Sequence, residues 1–236
     1  RRMNRRHMMI SAFASCFATP TFAEGQPWSA QLLQGGFDGT QWWAGLAITL
    51  QSNWKTYWRV PGDGGISPQI EASGENLKGQ AVLFPLPYRF ESADGTTIGY
   101  KEFVVFPLAL TPKDANQRMA INLKSFLGVC DEVCIPAQFV AELTFDPAHV
   151  NAPDQALIGQ WQGLVPEVVK PGSVVSATAE MRGGKPALLL PLSEPVMDVF
   201  VEGKASHYFG KPVFGQGTAI LPVHGAKTVE ELKGGL

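Results

Sequence analysis

From residue 24 onward the apolar positions recur with a period near two, the signature of strands with one face buried. Trp42–Gln51 alternates well enough for a half-buried strand, and Ala137–Phe145 lines up Phe139, Ala141, Leu143 and Phe145 on one face. Asn53–Val60 is aromatic and rich in β-formers, and Ala120–Val129 reads as a further strand. Shorter strands are predicted around Leu32 and Leu33, over Ile66–Glu71 and over Ala81–Phe84. A longer one is predicted over Ile98–Leu110, where Pro107 points to an edge position or a bulge. Between them, Pro61–Gly65 reads as a glycine loop, Ser73–Asn76 as a turn and Tyr88–Gly95 as a loop with aromatic content. Strands spaced by roughly ten residues and separated by turn signals predict a β-sandwich.

One segment breaks this rhythm. Asn151-Ala152-Pro153-Asp154 is suited to cap a helix over Gln155–Leu164, because a short polar side chain can satisfy the free N–H groups of the first turn. Pro166 ends it. Strand patterns return over Ser173–Met181, Ala187–Leu192, Val196–Val201 and Thr218–Val223. The expected organisation is therefore all-β: a sandwich over residues 24–148, a linker with a short helix over 149–172, and a second, smaller β domain over 173–236. The chain reaches Gly234-Gly235-Leu236 directly after Val229–Lys233, an ending that reads as a break inside a longer protein.

Composition supports this picture. Apolar residues make up 45% of the 236 and charged residues only 17%, a balance that builds a core and argues against disorder. A net charge of −2 gives no footprint for nucleic acid, and no apolar run reaches the length of a membrane-spanning helix. The first 23 residues look different. Arg1, Arg2, Arg5 and Arg6 precede a short apolar run over Met8–Ala18, and Thr21-Phe22-Ala23 offers small residues for cleavage after Ala23. This predicts a signal peptide over residues 1–23 and export to an oxidising compartment. Its removal takes away Cys16 and leaves an even pair, Cys130 and Cys134.

That pair lies in Gly128-Val129-Cys130-Asp131-Glu132-Val133-Cys134-Ile135-Pro136, between two predicted strands and so at the tip of a hairpin. If the three intervening residues make a tight turn, the Cα atoms come within bonding range for a disulfide. Four readings of the pair stand beside one another: a redox-active dithiol, a structural staple, half of a metal site, and two buried free thiols. A four-coordinate metal site needs more Cys or His than this stretch supplies. Asp131 and Glu132 lie between the cysteines, where negative charge disfavours the thiolate and raises the thiol pKa. This is unlike the two-residue spacing at a helix N-terminus of a thioredoxin-type site. Other chemistry is absent: His7, His149, His207 and His224 are scattered, and no G-x-S-x-G, P-loop or G-x-G-x-x-G occurs. No metal or cofactor is expected. Trp42, Trp43, Trp54, Tyr57 and Trp58 are expected in the core.

Several motifs, taken together, resemble a known family. These are Asn53-Trp54-Lys55-Thr56-Tyr57-Trp58-Arg59-Val60-Pro61-Gly62-Asp63-Gly64-Gly65 with Pro68, Phe84-Pro85-Leu86-Pro87-Tyr88-Arg89-Phe90, Ile98-Gly99-Tyr100, and the Cys130–Pro136 stretch, in that order. They are similar to the periplasmic N-terminal domain of DsbD-type thiol:disulfide interchange proteins, in particular the ScsB-like branch linked to copper tolerance. The resemblance is strong over about residues 30–146. It implies an immunoglobulin-like β-sandwich in the periplasm. It implies electrons received from a membrane-embedded or thioredoxin-like partner and passed to oxidised periplasmic proteins through a mixed disulfide. It assigns Cys134 as the attacking and Cys130 as the resolving cysteine. It also implies a cap loop over the disulfide in Tyr88–Gly95, with Phe90 as the first candidate lid and Tyr88 as the second. The family's best-studied branch places five residues between its cysteines, where this chain has three. Two other functions remain compatible with the residues: an immunoglobulin-like binding module braced by a structural disulfide, and a copper-binding protein using the thiols, for which Met119, Met181 and Met197 add little soft-ligand capacity.

Overall fold

The computed structural model describes residues 25–92, 95–146, 151–168, 176–203 and 207–232. The predicted signal peptide, parts of the predicted linker and the last four residues lie outside these ranges. Two antiparallel sheets pack face to face. The first has the order β1 (Trp28–Phe37), β2 (Trp42–Leu50), β8 (Phe103–Pro112) and β5 (Leu77–Val82). The second runs β10 (Cys134–Phe145), β9 (Met119–Cys130), β3 (Lys55–Gly62), β7 (Gly95–Lys101) and β6 (Tyr88–Ser92), with β4 (Gln69–Ser73) paired to β9. The core between them is apolar and continuous. Trp42, Leu46, Ile48, Phe106 and Leu108 come from one sheet, and Trp58, Tyr100, Ile121, Leu123 and Leu127 from the other. The all-β sandwich expected from the strand rhythm is the fold observed.

Three features of the first sheet differ from the sequence reading for physical reasons. Strand β2 is buried on both faces rather than one, because helix α1 (Ala152–Gln162) lies across the outside of the sheet. Its Ile158 packs against Leu33, Ala47 and Val105. The helix starts at Ala152, three residues before the expected Gln155, and within the predicted capping stretch it is Asn151 whose side chain accepts from the Asp154 backbone N–H. Asp154 in turn accepts from the backbone N–H of Gln34 at 2.9 Å and so ties the helix to β1. Pro107 sits in central strand β8, not at an edge. The N and O of one strand residue point to the same neighbour, and the Pro107 carbonyl accepts from Leu83 N, just past the end of β5. The missing N–H therefore faces a place where the ladder is already ending and costs no bond to β2. Finally, Ile98–Leu110 is two strands. Glu102 turns the chain with φ of 63° and sends β7 and β8 into opposite sheets.

A second β unit follows the helix. Strands β11 (Thr178–Arg182), β12 (Lys185–Pro191), β15 (Thr218–His224) and β13 (Tyr208–Phe209) form its sheet, with β14 (Val213–Gly215) paired to β15. Its own small core holds Leu188, Phe209, Ala219, Leu221, Val223 and Leu232. The strand predicted over Val196–Val201 does not form. That segment is irregular and splits its side chains: Phe200 goes to the sandwich, its ring 5.9 Å from that of Trp58, while Val199 and Val201 pack on the second unit's core.

Phe106 is fully buried and meets Phe84 and Tyr100 edge-on at 5.4 and 5.3 Å. Phe106→Ala removes a core ring between two aromatic neighbours and is expected to lower stability by about 3–5 kcal/mol, read as a lower urea midpoint at unchanged slope.

Candidate functional site

The site follows from strand parity. Along β9 the odd positions Ile121, Leu123, Leu127 and Val129 point into the sandwich. Cys130, at an even position, therefore belongs to the outer face of the sheet. Strands β9 and β10 pair from Phe145↔Met119 to Cys134↔Cys130 without a slip, so the two cysteines stand directly opposite on that outer face. Asp131, Glu132 and Val133 close the hairpin, with Asp131 N bonding Val133 O at 3.1 Å. The cysteines form a disulfide, with Cα atoms 4.1 Å apart. The two ends of the bond differ: Cys130 is 1% exposed, whereas Cys134 lies open to solvent.

What buries Cys130 is the Asn53–Pro68 motif. Strand β3 runs beside the end of β9, with Lys55 paired to Cys130. The buried Thr56 hydroxyl donates to the Gly128 carbonyl at 2.9 Å. Ile66 packs on Gly128, where an added Cβ would come within 2.8 Å of the Ile66 Cβ. Tyr57, on the same outer face as the cysteines, brings its hydroxyl to 3.7 Å from Cys134 Sγ. Its ring rests against Gly65, where a Cβ would come within 2.9 Å of Tyr57 Cδ1. Burial pushes the Tyr57 pKa up, so the phenol stays protonated well into the alkaline range.

On the far side, Tyr88–Gly95 is not a free loop. Tyr88–Ser92 forms β6, which pairs with β7 from Tyr88↔Gly99 to Ser92↔Gly95. The alternation Tyr-Arg-Phe-Glu-Ser fits an edge strand, and this is the signal that the loop assignment overlooked. Tyr57 and Tyr88 both pair with Gly99, so Tyr88 and Phe90 share the outer face with the disulfide. Phe90 is half-buried and Tyr88 exposed. Two lysines stand between these rings and the cysteines: Lys55 Nζ lies 5.3 Å from the Phe90 centroid, and Lys101 Nζ 5.5 Å from that of Tyr88. Burial pushes the Lys55 pKa down, while the neighbouring Asp131 carboxylate acts the other way. Asp131 and Glu132 are both exposed at the hairpin tip. A polar cleft of about 430 Å³ opens beside the disulfide, lined by Asn53, Lys55, Phe90, Lys101 and Asp131 among others.

This geometry can be set beside known proteins. A family model described as the N-terminal part of the thiol:disulfide interchange protein DsbD matches residues 26–145, just over half of the chain. The chain belongs to the DsbD N-terminal family. The matched range holds both sheets of the sandwich and the whole site. Among solved structures, the N-terminal periplasmic domain of ScsB from Proteus mirabilis aligns with a TM-score of 0.63 at 23% identity, covering 86% of this chain and 81% of that one. That likeness is one of fold, and it extends beyond the range of the family model. The reduced N-terminal domain of Neisseria meningitidis DsbD aligns over 50% of this chain and 85% of that one at 14% identity, with a TM-score of 0.31. No curated protein sequence matches this chain. Membership of the DsbD N-terminal family places the chain among thiol–disulfide interchange proteins, and the disulfide described above is the group in it suited to that chemistry. Among the described residues there is no group of three or more His, Cys, Asp or Glu arranged to hold a metal ion. Nor is any helix there long and apolar enough to cross a membrane.

Of the residues predicted for the site, Cys130, Cys134, Tyr88 and Phe90 share the outer face of one sheet, the cysteines on β9 and β10 and the rings on β6 with β7 and β3 between, while Asp131 and Glu132 lie in the turn at the hairpin tip. Tyr57 was missed as a site residue. It is nearly as buried as the core aromatics it was grouped with, and only its parity on β3 relative to Lys55 and Cys130 separates it from inward-facing Trp58. Gly128→Ala forces a methyl against Ile66 beside the cysteine strand. It is expected to lower the stability of the oxidised protein by about 1–3 kcal/mol in urea denaturation.

Proposed function

We propose that this chain exchanges thiols and disulfides in the periplasm through Cys130 and Cys134, relaying electrons from a membrane or thioredoxin-like donor to oxidised periplasmic proteins. The observation that carries this reading is the asymmetry of the disulfide: one cysteine is sealed and its partner is presented at a hairpin tip. A purely structural staple gains nothing from such presentation. In the reading, residues 1–23 serve as the export signal, residues 24–148 form the exchange domain and residues 173–236 a second domain.

Each half-reaction balances through a mixed disulfide. A thiolate of a reduced thioredoxin-like partner attacks Cys134 Sγ, the accessible sulfur; the bond to Cys130 breaks, and Cys130 leaves as a thiolate that takes up a proton. The partner's second thiolate then attacks its own sulfur in the mixed disulfide and releases Cys134. The partner leaves oxidised, and two electrons and two protons remain on this chain. In the next half-reaction the Cys134 thiolate attacks an acceptor disulfide and Cys130 resolves the complex. Asp131 and Glu132 put negative charge in the turn next to Cys134, which disfavours its thiolate. Tyr57 acts in the opposite sense by donating its hydroxyl to the Cys134 sulfur, with which it is in contact. Phe90 and Tyr88 share the outer face with the bond but stand on β6, with β7 and β3 between.

Two expected outcomes test this. A redox titration should place the Cys130–Cys134 couple above about −250 mV, whereas a value far below about −300 mV marks an inert structural bond. With a single-cysteine thioredoxin-like protein activated as a mixed disulfide with a small thiol, Cys130→Ala should accumulate a covalent complex on non-reducing gels. Cys134→Ala should yield none. For the reduced protein, Tyr57→Phe removes a hydrogen bond that favours the thiolate, so the thiol pKa rises. The pH–rate profile for alkylation of Cys134 should shift to higher pH, and an unshifted profile removes Tyr57 from the mechanism.

A further inference from the structure

One row of the site-bearing sheet is fixed by register across four strands. Cys134 on β10 pairs with Cys130 on β9, Cys130 with Lys55 on β3, and Lys55 with Lys101 on β7. Side chains directly opposite one another share a face, so both lysines stand on the outer face with the disulfide. Two like charges in that relation destabilise a sheet unless an anion offsets them. No carboxylate does so by contact: among the described residues neither ammonium is in a salt bridge. Lys55 Nζ donates to the neutral Thr97 hydroxyl at 3.0 Å. Lys55 is also half-buried, which by itself disfavours its charge.

The sulfur beside Lys55 has the complementary problem. Cys130 is 1% exposed, and when the disulfide opens its sulfur keeps the bonding electron pair as a thiolate. A buried anion is costly without a cation. The other charged groups around it do not supply one. Asp131 and Glu132 in the turn and Glu102 across the cleft are negative, Glu91 is bonded to Lys211, and the Tyr57 hydroxyl is neutral and lies against Cys134. The cation on the neighbouring strand and in the same row is Lys55.

We infer that Lys55 is a positioning residue for the charge of the exchange reaction: from the strand beside Cys130 it stabilises the thiolate that Cys130 becomes when the disulfide opens. The inference rests on the exchange reading above. A flexible four-carbon stem lets the ammonium leave the Thr97 hydroxyl and turn to the sulfur by side-chain rotation alone. The sulfur whose thiol has the lower pKa is the better leaving group, so the field of Lys55 directs an incoming thiolate onto Cys134. The same field supplies the Cys130 thiolate that resolves a mixed disulfide at Cys134. The two sulfurs thus differ in charge as well as in exposure, with acids in the turn between them and a lysine row on the Cys130 side.

The test titrates the Cys130 thiol by ultraviolet thiolate absorbance in Cys134→Ala protein, alone and combined with Lys55→Met, Lys55→Gln or Lys55→Arg. Lys55→Met is expected to raise the thiol pKa by about one pH unit, and Lys55→Arg to restore most of the difference. In the protein with both cysteines, reduction by dithiothreitol near neutral pH should slow about three-fold with Lys55→Met, as a poorer leaving group requires. A side chain that merely covers Cys130 would admit water when trimmed and lower the thiol pKa, so a fall overturns the inference. A rise that Lys55→Arg fails to restore overturns it too. Lys55→Gln keeps a polar contact for Thr97 without the charge, and a rise of the same size in this variant decides the matter if the methionine protein does not fold. An unchanged thiol pKa in every folded variant overturns the role of Lys55 while leaving the exchange reading intact. A wild-type couple far below about −300 mV overturns the exchange reading whatever the thiol titration gives, and the part of Lys55 in it.

Discussion

The register between β9 and β10 is the constraint from which the site follows. Twelve residue pairs run from Met119↔Phe145 to Cys130↔Cys134 without a bulge. The odd residues of β9 fill the sandwich, and a slip by one residue would turn Ile121, Leu123 and Leu127 out to solvent. The core therefore fixes the parity of the strand, and the parity fixes the face on which the sulfurs emerge. The disulfide is placed by hydrophobic burial far from it, not by contacts of its own. A three-residue turn then suffices, since both cysteines already face each other at the last rung of the ladder.

Placement alone would leave both sulfurs equally open. The asymmetry comes from β3 and the loop after it, and the sequence motif Asn53–Pro68 has its physical meaning there. Thr56 pins β3 to the Gly128 carbonyl; Gly128 and Gly65 have no side chains where Ile66 and the Tyr57 ring must lie. Each of these glycines is a close-approach position, one on each side of the layer that covers Cys130. The outcome is a bond with one protected end, which gives the direction of attack in the proposed exchange without any catalytic group beyond the sulfurs and a phenol.

Much of this was legible in the chain. The alternation in Ala137–Phe145, the cysteine hairpin and the helix start at Asn151 are local patterns, and each survives in the structure. What could not be read is what depends on partners distant in sequence. Whether Trp42–Leu50 is buried on one face or two depends on a helix about a hundred residues later. The division of Ile98–Leu110 turns on a single left-handed residue, Glu102, whose type gives no hint of it. Tyr57 looked like one more core aromatic because its composition matched its neighbours, and only the pairing of Lys55 with Cys130 shows which face it occupies.

The same limit explains the second β unit. Read alone, Val196–Val201 is a strand and Arg89 a charge in a loop. A buried guanidinium on an edge strand would be costly without a carboxylate, and Asp198 on an irregular segment would lack a reason for its fixed geometry. Each resolves the other across a separation of 109 residues. The pairing links the outermost strand of the site-bearing sheet to the second β unit. The alternate residues of that strand therefore face two ways, Arg89 and Glu91 toward the second unit and Tyr88 and Phe90 toward the face that carries the disulfide.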